Sequence, residues 1–153
     1  PNVALQLRRS EDAIRKLGLQ SRVAEARTPD EFEHAFASLK AGNADGVMLL
    51  ADPTVIENGK KIAELALAAR LPTAFQRREN VEAGGLFSYG GSITDQFKFA
   101  AQYVDRILKG AKPAELPVEQ PTQFDLVINI KTAKTLGLSI PSGVLGIANE
   151  LIQ

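Results

Sequence analysis

Apolar residues recur at intervals of three or four along several segments, which places them on one side of an α-helix. In the segment that begins at Ser92, for example, Phe97, Ala101, Val104 and Leu108 fall on one stripe. The spacing predicts helices over residues 2–17, 28–41, 53–70, 92–109 and 131–137, and at the end of the 140–153 tail.

Short apolar runs between these helices have the lengths typical of β-strands. Residues 45–51 are almost continuously apolar, as expected of a strand covered on both faces. Further strands are predicted over residues 21–26, 72–76, 86–90 and 123–130, and residues 77–85 are predicted to be a polar loop.

The alternation of helices and strands predicts an α/β fold with a parallel, doubly wound sheet that carries helices on both faces. The pattern changes at residues 111–122, which contain three prolines and can hardly form a helix. We expect the strand that follows, 123–130, to leave the first sheet and join another.

The composition of the chain argues against several classes of function. The chain has 153 residues, with 18 basic and 18 acidic side chains and no basic stripe, which argues against a nucleic-acid partner. It has no cysteine, so disulfides, thiol catalysis and cysteine-ligated metals are excluded. No apolar run approaches the ~20 residues that span a bilayer.

Polar residues follow several of the predicted strands. In open parallel sheets, ligands bind beyond the carboxyl ends of the strands, where helix N-termini also point. This rule selects a set of ligand-binding candidates: Asn2 (if a strand precedes it), Asp52, Gln76, Arg77, Ser88, Tyr89 and Gly90. A tyrosine beside glycines at a strand–helix junction is typical of a cleft more than of a plain connection.

Each candidate also has a structural interpretation. Asp52 precedes Pro53 and would cap a helix N-terminus. Arg77 and Arg78 would be solvated charges of a loop, and Tyr89 would be a core aromatic residue. These alternatives stay open at the level of sequence.

A catalytic centre is not indicated, so we do not expect an enzyme. A serine nucleophile needs a histidine partner, and the single histidine, His34, lies off the apolar stripe of its helix and is expected at the surface. The glycines lack the spacing of a P-loop or of a dinucleotide fingerprint, and no cofactor or metal is expected. The alternative is a flavodoxin-like enzyme or phosphoacceptor centred on Asp52, because "VMLLADPTVIENG" resembles the phosphoacceptor strand of response-regulator receivers.

Three blocks in the second half are more specific: "EAGGLFSYG", "YVDRILKGAKPAELPVEQPTQFDLVINIKTAKTLGL" and "IPSGVL". Their order and spacing resemble the C-terminal half of the substrate-binding proteins of ABC transporters, in the group that includes tryptophan and tyrosine binders. The resemblance implies a type I periplasmic-binding-protein fold, in which two lobes enclose a ligand at a hinge without catalysis.

The same resemblance implies a division of the chain between lobes. Residues 1–91 would form most of the second lobe, 92–130 would be a hinge crossing with elements that return to the first lobe, and 131–153 would cross back. The glycines after Tyr89 would let the backbone turn at the hinge while the ring faces the ligand.

The implied partners are a small-molecule solute and an ABC permease in the membrane. The implied location is periplasmic or extracellular, with a lipid anchor on the full-length protein. An amino-acid-like zwitterion would suit a site that offers an aromatic ring, a carboxylate and a guanidinium.

A member of the resembled family is longer, with a first lobe ahead of Pro1 and a strand just before Asn2. If residues 1–153 stand alone, the apolar stripe of helix 92–109 and the edge of strand 123–130 need a cover. We then expect a homo-oligomer or partial disorder of residues 92–153.

Overall fold

The computed structural model describes residues 3–119 and 123–153. The helices are α1 (Val3–Lys16), α2 (Phe32–Ala41), α3 (Pro53–Glu57), α4 (Gly59–Ala68), α5 (Arg78–Glu82), α6 (Ile93–Leu108), α7 (Ile130–Leu136) and α8 (Ser142–Ile147). The strands are β1 (Val47–Met48), β2 (Thr73–Phe75), β3 (Phe87–Gly90), β4 (Asp125–Asn129) and β5 (Glu150–Ile152). Single 3-10 turns occur at Pro29–Glu31 and Pro113–Glu115.

The five strands form one sheet in the order β1-β2-β3-β4-β5. β1, β2 and β3 are parallel, β4 is antiparallel to β3, and β5 is parallel to β4. This mostly parallel sheet with its helices confirms the predicted α/β fold class. The expectation that strand 123–130 joins another sheet is wrong, because Gly90 pairs with Asp125 and Phe87 pairs with Ile128.

The larger apolar cluster is built by α2, α4 and β2. Both helices place apolar residues three or four positions apart, so each presents a continuous apolar face. The buried members of the cluster are Phe32, Phe36, Leu39, Ile62, Ala66, Leu71 and Phe75. Ile62 is 1% exposed, and its burial joins the two helices to the sheet.

A smaller buried region joins α5, β4 and α7 through hydrogen bonds. The Asn129 side chain donates to the Val81 carbonyl oxygen at 3.0 Å and accepts from the Thr132 N–H at 2.9 Å. The Thr132 hydroxyl donates to the Gly84 carbonyl oxygen at 2.9 Å. Because buried polar groups are costly when unpaired, these bonds fix the start of α7 against the end of α5.

Two predicted strands differ from the structure. Residues 21–26 form no strand, because no strand in the described part of the chain pairs with them. Ala24 and Ala26 nevertheless pack against the larger cluster. The predicted burial of 45–51 on both faces is wrong, since β1 lies at the edge of the sheet and Met48 is 48% exposed.

Three local predictions also change. The helix predicted over 53–70 is two helices, α3 and α4, separated at Asn58, whose side chain donates to the Thr54 carbonyl oxygen at 2.8 Å. The predicted loop 77–85 contains the short helix α5. The 140–153 tail ends in strand β5, which pairs with β4 and is not helical.

The longest helix, α6, has no buried residue. Its first turn is capped by Ser92, whose hydroxyl accepts from the Asp95 N–H at 3.2 Å. Phe97 is 72% exposed and Leu108 is 82% exposed. The predicted apolar stripe is therefore present and is not covered by any residue that the structure describes.

Candidate functional site

All five described strands have one terminus at the same end of the sheet. β1, β2 and β3 finish there with their carboxyl ends, and β4 and β5, which run antiparallel to β3, begin there. An open depression of about 290 Å³ lies at this end of the sheet. It occupies the position at which open α/β sheets bind ligands.

Four of the sequence-selected residues line this depression: Gln76, Arg77, Ser88 and Gly90. Gln76 and Arg77 follow the carboxyl end of β2, whereas Ser88 and Gly90 belong to β3. The structure thus brings together residues from two neighbouring strands, as the strand-end rule predicts. Their role as ligand contacts stays a prediction.

Tyr89 is not among the residues that line the depression. Successive side chains of a strand point to opposite faces of the sheet, so Tyr89 lies on the other face from Ser88. There its ring stacks on Phe124 with the centroids 5.6 Å apart. Tyr89 is 58% exposed, so it is neither a core aromatic residue nor part of this depression.

Asp52 lies outside the depression and caps α3. Its Oδ1 accepts from the Thr54 N–H at 2.8 Å, which confirms the capping interpretation. Asp52 does not line the smaller apolar recess between α3 and the end of β2 either. The phosphoacceptor alternative gains no support from this placement, and Asn2 lies outside the described residues.

Gly90 is required by close packing at the site. A Cβ added at Gly90 would overlap the main-chain carbonyl oxygen of Gln76. The chain that follows β2 therefore lies against β3 at this position, and the Gln76 carbonyl occupies the space that a side chain at Gly90 would take.

Sequence reasoning missed the opposite wall of the depression. Asp125 begins β4, while Asn149 and Glu150 stand at the start of β5. The side-chain oxygen of Asn149 accepts from the Leu126 N–H at 2.8 Å, which holds the start of β5 against β4. The available signal was the apolar pair Leu151 and Ile152 that follows Glu150 in the tail.

Arg78 crosses from α5 to this wall. Its Nε and Nη2 donate to the two carboxylate oxygens of Glu150, each at 2.7 Å, and its Nη1 lies 2.6 Å from Glu82 Oε1. The hydrogen bonds that Arg78 donates to Glu150 and Glu82 raise the pKa of Arg78, and the bonds to Arg78 lower the pKa of Glu150. This ion pair joins α5 to β5 along the rim.

Two further predictions from the sequence, on His34 and on membrane-spanning helices, can be compared with the structure. His34 is exposed on α2, which confirms its predicted surface position. In the ranges 3–119 and 123–153, no helix has both the length and the apolar character needed to cross a bilayer.

Solved structures of similar shape are known. A conserved domain protein from Vibrio cholerae has a TM-score of 0.89 and 27% identity over 98% of this chain and 50% of its own. An ABC domain from Streptococcus pneumonia in complex with L-Trp has a TM-score of 0.88 and 26% identity over 99% of this chain and 52% of its own. The chain therefore spans about half the length of these proteins.

A third structure shows likeness of fold alone. It is the ligand-free, open form of CD0873, a substrate binding protein with adhesive properties from Clostridium difficile, with a TM-score of 0.74 and 20% identity over 99% of this chain. No curated protein matches the chain.

The sequence itself matches a family model. The model describes the ABC transporter substrate binding protein and matches residues 2–152. This match spans nearly the whole chain, and the solved structures share its fold. The chain belongs to the family of ABC transporter substrate-binding proteins.

Proposed function

We propose that residues 1–153 form most of one lobe of a two-lobed solute receptor. A small molecule binds in the depression at the end of the sheet and passes to a membrane permease, and no reaction is catalysed. One observation carries this proposal: the polar depression lies where the chain leaves the sheet after β3 and re-enters it at β4. The segment 91–124 between these strands contains α6, so a ligand held there would also contact the lobe that packs on α6.

The solute in this proposal is an amino acid. Its support is the similar ABC domain, which was solved in complex with L-Trp. The depression also exposes side chains of both charge signs, including Arg77 and Asp125, and a zwitterion can pair with both.

The first lobe supplies the other half of the cleft and covers α6. Val104 and Leu108 are 56% and 82% exposed, and an apolar face of this extent on a soluble domain marks an interaction surface. In this proposal residues 1–91, strand β4 and residues 131–153 form the second lobe. Residues 92–109 pack on the first lobe. A second copy of the chain would be the alternative cover.

The proposed location follows from the proposed task. A receptor that delivers solutes to an importing permease works in the periplasm or outside the cell. In this proposal a lipid anchor on the full-length protein keeps it near the membrane.

Thermal unfolding of the intact natural protein that carries this sequence tests the proposal. At a ligand concentration about 100 times Kd, binding stabilises the folded state by about 2.7 kcal/mol, which raises Tm by about 5–10 °C for a protein of 150–250 residues and by a few degrees for a longer one. We expect at least one standard L-amino acid, with L-tryptophan tried first, to produce such a rise.

A matched pair of variants tests whether the solute binds in the depression. Gln76→Trp puts a large side chain at an exposed position of the depression, whereas Gln20→Trp puts one at an exposed position elsewhere. The first should abolish the rise in Tm and the second should keep it. A protein that no solute stabilises, or one in which Gln76→Trp has no effect, would rule out this function for this site.

A further inference from the structure

The depression is lined by five ionisable side chains: Arg77, Arg78, Glu79, Asp125 and Glu150. Their surroundings differ. Arg78 and Glu150 form a two-bond ion pair, and Arg78 also contacts Glu82. This pair neutralises itself and is occupied in joining α5 to β5. Glu79 is exposed, so water solvates its charge.

Arg77 and Asp125 are different from these three. Both are half-buried, and within residues 3–119 and 123–153 neither side chain makes a hydrogen bond or an ion pair. A charge that loses part of its water without gaining a partner is unfavourable. The fold therefore leaves one cationic and one anionic group of this depression unpaired.

The strand order places these two groups on either side of Gly90. Asp125 is the cross-strand partner of Gly90 in β4, and the Gln76 carbonyl on the β2 side packs directly against Gly90. The main chains that carry Arg77 and Asp125 therefore flank β3 at Gly90, one on the β2 side and one in β4. Gly90 contributes no side chain between them, and the Gln76 carbonyl oxygen packs where its Cβ would be.

We propose that Asp125 and Arg77 are the two recognition groups for a zwitterionic solute, Asp125 accepting from its ammonium group and Arg77 donating to its carboxylate across Gly90. This assignment rests on the function proposed above and sharpens it, since it requires a ligand that carries both charges. The Arg78–Glu150 pair then fixes the rim and does not contact the charged groups of the solute.

Isothermal titration of the intact natural protein with the standard L-amino acids, L-tryptophan first, tests the assignment. Loss of a hydrogen bond to a charged group weakens binding by about 10- to 100-fold. Asp125→Asn and Arg77→Gln should each weaken the best amino acid by that factor. The matched controls Asp45→Asn and Arg27→Gln remove the same charges at exposed positions outside the depression and should leave Kd within about 2-fold.

The outcomes separate this assignment from the function beneath it. If an amino acid binds and Asp125→Asn or Arg77→Gln keeps Kd within 2-fold, the assignment is wrong and the receptor function stands. The same holds if only a solute without the two charges binds. If no solute binds at all, both are wrong. Far-UV circular dichroism and Tm without ligand confirm that each variant is folded.

Discussion

Helices α2 and α6 carry the same kind of sequence pattern and have opposite surroundings. Phe32, Phe36 and Leu39 of α2 are at most 8% exposed, because α4 and β2 cover them. In α6, Phe97 and Leu108 are more than 70% exposed. Both stripes have helical spacing, yet only the first is covered by residues that the structure describes.

The difference shows what an amphipathic pattern specifies. It states that a helix needs an apolar cover on one side, and it does not state which part of a protein supplies the cover. For α2 the cover is local in the chain, since α4 follows within a few tens of residues. For α6 no described segment supplies it, and the proposed first lobe is the candidate.

The largest expected effect tests the covered side of this comparison. Ile62→Ala removes a side chain that is 1% exposed in the centre of the larger cluster. Truncation of a buried isoleucine to alanine costs about 2–5 kcal/mol. We expect the free energy of unfolding, measured by urea titration, to fall by that amount.

The matched variant on the uncovered side is Leu108→Ala. Leu108 is 82% exposed in residues 1–153, so in a protein limited to these residues its truncation should change the free energy of unfolding by less than about 0.5 kcal/mol. In the intact protein, where the proposed first lobe covers α6, the same variant should cost more. In a protein limited to residues 1–153, a cost comparable to that of Ile62→Ala would break the comparison, because it would mean that a second copy covers α6 in solution.

A smaller effect is expected where two main chains meet at the depression. Gly90→Ala forces a Cβ against the Gln76 carbonyl oxygen, and overpacking of this kind costs about 1–3 kcal/mol. At Gly143 of α8 a Cβ would meet nothing within 4 Å, so Gly143→Ala should be neutral or stabilising in the same urea titration. Equal costs would show that the approach of the chain to β3 is not maintained in solution.

The smallest effect concerns the ion pair on the rim. Hydrogen bonding from Arg78 lowers the pKa of Glu150 below its usual value of 4.5, so the pair stabilises the fold above that pH and loses this contribution as the pH falls through the folded-state pKa. Since Arg78 and Glu150 are 46% and 40% exposed, the contribution is under about 1 kcal/mol.

Urea titrations at neutral pH and at a pH well below 4.5 measure it. Glu150→Gln should cost stability only at neutral pH. Glu25→Gln, at an exposed position outside the helices and strands, should have no effect at either pH. A cost of Glu150→Gln that persists in acid would contradict a charge-based role.

The fold was predictable where local patterns decide the structure. Helical spacing located α2 and α6, and short apolar runs located β2 and β3. The prediction failed where pairing with distant segments decides. Residues 21–26 have no partner strand in the described part of the chain, β4 pairs with β3 in the same sheet, and the "ELI" tail becomes a strand only beside β4. No local pattern contains the identity of a strand's neighbour.

The site was predictable on one side only. The strand-end rule found Gln76, Ser88 and Gly90, which follow or belong to strands that end at the depression. It could not find Asp125, since β4 runs in the opposite direction and contributes its beginning. The position of Tyr89 could have been predicted, because alternation along β3 puts it on the face opposite Ser88.

The pairing of Gly90 with Asp125 has a topological consequence. The segment 91–124 leaves and re-enters the sheet at a single point, so β3 and β4 form in effect a hairpin that carries a long insertion. A two-residue turn such as Asn-Gly could join these strands directly. The sheet is thus separable from the inserted segment: every strand pairing described above could persist with α6 excised, which leaves the inserted segment free to vary in length and sequence without altering the register of the sheet.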